Sequence, residues 1–208
     1  LSIIDLSPEG HQPMVSACGR YVISFNGEIY NFQDLREELL AQGAGPFRGH
    51  SDTEVMLTGI ARWGLEAALR RLAGMFAFAL WDREQRTLTL VRDRLGEKPL
   101  YWGRAGATLL FGSELKALRT HPAFQAEIDP EALALYLRYN YVPSPFCIYR
   151  GLQKVEPASL CRISPDGRVQ TERYWRLEEA VAAGARAPLQ GSDAEVLETL
   201  PTRPTDPA

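Results

Sequence analysis

Cysteine is scarce in this chain of 208 residues: Cys18, Cys147 and Cys161 stand far apart and are odd in number. With no C-x-x-C pair, a disulfide scaffold or a zinc site is disfavoured, and a reducing cytoplasm is the expected compartment. Histidine is as thin. His11, His50 and His121 show no ligand spacing, so no metal site is expected. No run approaches the ~18–20 apolar residues that span a bilayer, and no basic-then-apolar signal segment opens the sequence. A membrane partner is therefore not expected. The net charge of −3 carries no basic excess, so neither is a nucleic acid partner, which binds through its phosphates. Phosphate-loop, dinucleotide and nucleophile-elbow motifs are all missing.

What remains is an ordinary soluble composition, long enough for one domain or one plus a tail. The ends are unusual. Residue 1 is Leu, and Ser2 to Asp5 already reads like a strand. The proline-rich residues 201–208 break a helical pattern abruptly. Both features predict a fragment.

Periodicity gives the elements. Tyr21 to Phe25 reads as a strand that stops at the turn signal Asn26-Gly27, since both residues tolerate positive φ. A helix follows, capped by Asn31, with Phe32, Leu35 and Leu39 on one face and Gly43 at its end. Ser51-Asp52-Thr53-Glu54 is a capping box for the next helix, which Trp63-Gly64 interrupts before a last helical stretch from Leu65 to Leu72. The nearly all-apolar run Gly74 to Trp81 predicts a strand buried on both faces. Thr87 to Val91 would pair with it as a hairpin. Leu100 to Trp102 and Thr108 to Phe111 form another pair, and Glu114 to Leu118 a short helix. Asp129-Pro130 starts a helix, and Val142 to Pro145 is a rigid loop. Ser159 to Ile163 and Arg168 to Tyr174 make a last hairpin. Residues 177–191 read as a linker, and Ser192 to Glu195 as a second capping box cut short by Pro201. The order predicts an α+β fold with two stacked sheets inside helical layers.

Few residues suggest chemistry alone. An amide side chain beside a glycine N–H, as at Asn26-Gly27, can aim two donors at a developing oxyanion, although a plain hairpin turn is the default. Asp52 at a helix start is by default a dipole-favoured acid; the sharper reading is a carboxylate that pairs with a substrate ammonium. Glu28 stands likewise as an amine ligand or a solvated charge. His50 could contact a ligand beside them. The charged stretch Arg92 to Lys98 is expected as a salt-bridged loop, or as one shaping a neighbouring site.

Together these segments resemble one family. Phe25-Asn26-Gly27-Glu28-Ile29-Tyr30-Asn31 is similar to the hallmark of class II glutamine amidotransferase domains of the asparagine synthetase branch. Gly49-His50-Ser51-Asp52-Thr53-Glu54, Gly74 to Asp82, Arg92-Asp93 with Gly96, Pro99, Leu100 and Tyr101, and Ser113 to Leu118 follow in the family's order. The resemblance covers about residues 1–176. It implies an αββα four-layer sandwich of the N-terminal-nucleophile type, here missing its first strands. It also implies a truncated glutamine amidotransferase domain over 1–176, and a linker with an aborted synthetase start over 177–208.

By the same resemblance, Asn26 and Gly27 form the oxyanion hole. Glu28 and Asp52 hold the α-amino group of L-glutamine, and Leu1, Ser2, Ile3 and Ile4 line its pocket. The parent reaction turns ATP, aspartate and glutamine into asparagine, glutamate, AMP and diphosphate. No cofactor is expected in this piece. ATP and Mg²⁺ belong to a synthetase domain that would be its partner, and the resemblance admits a homodimeric parent. The family nucleophile is an N-terminal cysteine, but residue 1 here is Leu, and Cys18 falls in another segment. An arginine that clamps the glutamine carboxylate would precede Leu1, and the tail stops before the synthetase pyrophosphate loop. The expectation is a fragment inactive alone, because loss of a nucleophile costs about 10⁶-fold in rate, and prone to aggregate, because a missing strand exposes apolar surface and an unpaired ladder. Its competitors are a degenerate glutamine-binding or regulatory module, and another class II amidotransferase. Glu28-Ile29-Tyr30-Asn31 argues against the latter.

Overall fold

The computed structural model describes residues 4–199. Two antiparallel sheets form its centre. The larger runs in the order β1 (Met14–Val15), β2 (Tyr21–Ile29), β3 (Gly74–Asp82), β4 (Thr87–Arg92), β8 (Ser159–Ile163), β9 (Val169–Arg173). The smaller runs β6 (Thr108–Gly112), β5 (Tyr101–Ala105), β7 (Leu152–Lys154).

Side-chain alternation along β3 explains why its run is apolar throughout. Phe76, Phe78 and Leu80 face one core, where they meet Ile23, Phe25 and Ile29 of β2. Opposing them are Leu35 and Leu39 of α1 (Phe32–Ala41), Val55, Met56 and Ile60 of α2 (Asp52–Trp63), and Leu69 of α3 (Leu65–Arg71). Ala77 and Ala79 face the other way, into a second core with Leu90, Leu100, Trp102, Val155 and Cys161 between the sheets. Large rings thus fill the helical side, and small alanines let the sheets approach. Full burial of each phenyl ring contributes roughly 1.5–3 kcal/mol. A third cluster joins Leu110, Leu152, Cys147 and Leu118 of α4 (Leu115–Leu118) beyond the smaller sheet. The helix–sheet–sheet–helix layering expected from the sequence is present.

Several local expectations are corrected. β2 does not stop at Asn26-Gly27: the strand runs to Ile29, with Asn26 opposite Ala77 and Gly27 opposite Phe76. Pairing with a fully apolar neighbour outweighs the local turn propensity. Glycine is required there for close approach, since a Cβ at Gly27 would stand 2.2 Å from the Met75 carbonyl oxygen. Ile4 and Asp5 are bend and coil, not strand; Leu1, Ser2 and Ile3 lie outside the described residues. The 177–191 linker instead carries α6 (Leu177–Arg186), an alanine-rich helix with no buried residue. Alanine's helix propensity prevails over the glycines.

Capping is also redistributed. Asn31 makes no side-chain cap bond to α1. Its amide donates to Arg71 O and accepts from Ala73 N, tying α1 to the α3–β3 connection. Ser51 caps α2 as expected, accepting from Glu54 N at 3.2 Å, but Glu54 reaches the amides of Arg48 and Gly49 instead of its cap. Asp129 caps α5 (Pro130–Tyr139), and the second capping box forms fully between Ser192 and Glu195 at the start of α7 (Asp193–Thr199). Pro201, expected to end it, lies outside the described residues.

Candidate glutamine site

Alternation along β2 sends Ile23 and Phe25 into the helical core, so Asn26 and Glu28 face the smaller sheet. The Asn26 Nδ2 donates to Ser113 Oγ at 2.9 Å, a contact spanning 87 residues of sequence. Ser113 follows β6 directly, so this bond joins the two sheets at the place where Asn26 would act. The second N–H of the amide remains to be donated elsewhere.

Asp52 opens α2, where the helix dipole favours negative charge. Its Oδ2 accepts from Ile29 N at 2.9 Å, and its Oδ1 from Thr53 N at 2.8 Å. These bonds place a carboxylate only 5% exposed at the end of β2. Burial raises its pKa above the ordinary carboxylate value. The backbone bonds oppose that rise, and the neighbouring charge of Glu28 adds to it. Tyr30 lies in the same field: burial, then the charges of Glu97, Glu28 and Asp93, raise its phenol. The end of β2 therefore concentrates negative charge that no cation of the described residues is bonded to at Asp52. A primary ammonium is the group that would relieve it.

Three devices hold this corner; of these, the charged stretch after β4 was expected, as a salt-bridged loop or as one shaping a neighbouring site. Asp5 accepts from Ser7 N at 2.9 Å and His50 N at 2.8 Å. These bonds, that from His50 first, lower its pKa to about 2. They tie the segment after Ile4 to the loop entering α2. Gly49 fits there because a Cβ would stand 2.5 Å from Asp5 Oδ2. His50 contributes its backbone N–H, and its side chain is exposed.

The second device is the stretch after β4. Asp93, 1% exposed, accepts from the amides of Phe76, Leu95, Glu97 and Lys98. Arg92 donates to the carbonyls of Gly96, Lys98 and Val155. The expectation of a salt-bridged loop is thus corrected: both charges are spent on backbone groups, as a buried loop demands. Tyr174 is the third, its hydroxyl donating to Arg92 O at 2.9 Å. Charge density was the available signal for the Arg92–Asp93 pair. Ser113 lies inside one of the family motifs, whereas Asp5 reads only as part of a strand; the site-bridging partners of both, Asn26 and His50, are remote in sequence.

The expected site residues are thus partly brought together. Asn26, Gly27 and Glu28 lie in succession on β2, with Asp52 bonded to the next residue. Ile4 adjoins Asp5, and Leu1, Ser2 and Ile3 lie outside the described residues. The cysteines are placed elsewhere: Cys161 between the sheets, Cys147 beyond the smaller sheet, and Cys18 exposed with its thiol against Ser16 Oγ. Among the described residues no helix is long and apolar enough to cross a membrane, and no three His, Cys, Asp or Glu form a metal-holding group.

The chain is 39% identical over 183 residues to asparagine synthetase [glutamine-hydrolyzing] 3 of Bacillus subtilis, covering 86% of this chain and 29% of that protein. It is 42% identical over 176 residues to asparagine synthetase [glutamine-hydrolyzing] 1 of the same organism, covering 85% and 27%. It therefore spans less than a third of the length of these curated relatives. Among solved structures, glutamine phosphoribosylpyrophosphate amidotransferase from B. subtilis aligns over 79% of this chain and 32% of its own. Its TM-score is 0.55 at 23% identity, a likeness of fold. The family described as glutamine amidotransferase domain matches residues 1–175. This chain belongs to the glutamine amidotransferase domain family.

Proposed function

We propose that this chain is the glutamine-binding part of a glutamine-hydrolysing asparagine synthetase. The observation that carries the reading is the buried Asp52 carboxylate beside Glu28, at the end of the strand that bears Asn26 and Gly27. In this reading Asp52 and Glu28 hold the α-ammonium of L-glutamine. The Asn26 amide and the Gly27 N–H face the side-chain carbonyl, where an oxyanion forms on attack. Each such donor is worth about 3–4 kcal/mol in the transition state. Ile4 and the residues before it form the pocket wall.

Hydrolysis would require a nucleophile that Cys18, Cys147 and Cys161 do not supply from their positions. These residues alone thus bind glutamine and polarise its amide. Ammonia transfer to aspartate, with ATP and Mg²⁺, belongs to the length of the relatives that this chain does not span. A glutamine-binding module without catalysis is the second reading.

A chimera separates the two. Residues 1–175 would replace the matching residues of B. subtilis asparagine synthetase 3, leaving that protein's own remaining sequence in place. Glutamine-dependent asparagine formation is expected. If ammonia supports asparagine formation but glutamine does not, while glutamine still binds, the module reading prevails.

A further inference from the structure

The loop held by Arg92 also walls a cavity of about 240 Å³, between β5, β7 and the segment around Tyr141 and Ser144. Its polar lining is Arg92, Tyr101, Tyr141, Ser144 and Lys154, and no carboxylate lines it. Three of the five guanidinium N–H groups of Arg92 reach carbonyls, which leaves two. The Lys154 ammonium donates one of its three to Val142 O and lies 5.9 Å from the Tyr101 ring centre. The hydroxyls of Tyr101, Tyr141 and Ser144 make no hydrogen bond among the described residues. Asp93, the nearest acid in sequence, is saturated by four backbone amides.

We propose that this cavity binds a small oxyanion, a carboxylate or phosphate group, held between Lys154 and Arg92 and oriented by the Tyr101, Tyr141 and Ser144 hydroxyls. Two half-buried cations line one cavity with no carboxylate in its lining; Asp93 offsets part of the Arg92 charge, and an anion beside Lys154 would offset the rest. Lys154 carries the mark of this arrangement: burial first, then the charge of Arg92, lowers its pKa. The volume suits a phosphate or a short carboxylate, being below the ~300–1,000 Å³ of sites for larger ligands. The assignment rests on this lining alone and stands whether or not the chain binds glutamine.

The test is calorimetric titration of the full 208-residue chain with inorganic phosphate and, separately, with acetate. Saturable binding of one anion per chain is expected, and the tighter of the two identifies the group. Lys154→Met should weaken it about tenfold or more, and Lys154→Arg should retain it within about threefold. Should Lys154→Met fail to fold, Tyr141→Phe with Ser144→Ala removes two hydroxyl donors, that of Tyr141 at an exposed position, and should weaken binding about fivefold. No saturable binding of either anion, or an affinity unchanged in Lys154→Met or in the double variant, overturns the proposal.

Discussion

The Asn26 amide donates to the Ser113 hydroxyl at 2.9 Å, across the gap between two sheets. A donor intended for an oxyanion must be aimed before charge develops, because reorientation during reaction forfeits its advantage. Ser113 fixes one N–H of Asn26 and thereby sets the direction of the other. Ser113→Ala should therefore weaken glutamine binding by about 0.5–1.5 kcal/mol, roughly two- to tenfold, while Ser113→Thr keeps it. Calorimetry on the two variants checks this, and equal affinity in Ser113→Ala and wild type would contradict it.

Gly27 illustrates sequence specificity imposed by packing. A Cβ there meets the Met75 carbonyl oxygen at 2.2 Å and Phe76 Cα at 2.6 Å. Gly27→Ala should destabilise the fold by at least about 2 kcal/mol, since a closely packed sheet cannot yield without moving a strand. Urea unfolding measures it; a change below about 0.5 kcal/mol would mean that β2 and β3 are less closely apposed.

Asp93 is expected to matter more for stability than any surface ion pair. Replacing it with Ala leaves four amide donors around the 93–98 loop without their acceptor. A loss of about 3–4 kcal/mol should follow, read from urea unfolding. Glu114, whose carboxylate pairs with Lys116 at 2.6 Å on the surface, should cost less than about 1 kcal/mol when replaced by Gln.

The two carboxylates near the site have opposite pH signatures. Asp5 is lowered to about 2 from an ordinary 3.8. Its folded form binds fewer protons, so its stabilising contribution is full above pH 3.8 and is lost as pH falls towards 2. Asp52 is raised, chiefly by burial. Its folded form holds the proton longer, so stability declines as pH rises above the ordinary carboxylate value through the raised one. Asp52→Asn should consequently flatten the decline of the melting temperature between acid and neutral pH, even as it weakens ligand binding. Carboxyl carbon NMR titration reads both midpoints; an Asp5 midpoint near 4 would contradict the first.

The sequence made the β3–β4 hairpin legible because an apolar run followed by alternation has few other solutions. It also made the layering legible, since strands and helices came in blocks. The end of β2 was not legible. Asn26-Gly27 has the local chemistry of a turn, and only the pairing with Ala77 and Phe76, some fifty residues on, holds it extended. Asn31 and Glu54 read as capping residues but bond elsewhere, Asn31 to the α3–β3 connection and Glu54 to the loop before α2. Family likeness marked Asn26, Gly27, Glu28 and Asp52 as a group. Ser113 and Asp5, which position that group, act through contacts spanning 87 and 45 residues that no local pattern encodes.

The role proposed for Asp52, with Glu28, is to receive an ammonium. Its most direct measurement compares L-glutamine with glutaramate, the same molecule without its α-amino group, on wild type and on Asp52→Asn. Wild type should prefer glutamine by about tenfold or more, and Asp52→Asn should lose most of this preference. An undiminished preference in Asp52→Asn would contradict it, because the amino group would then be bound elsewhere.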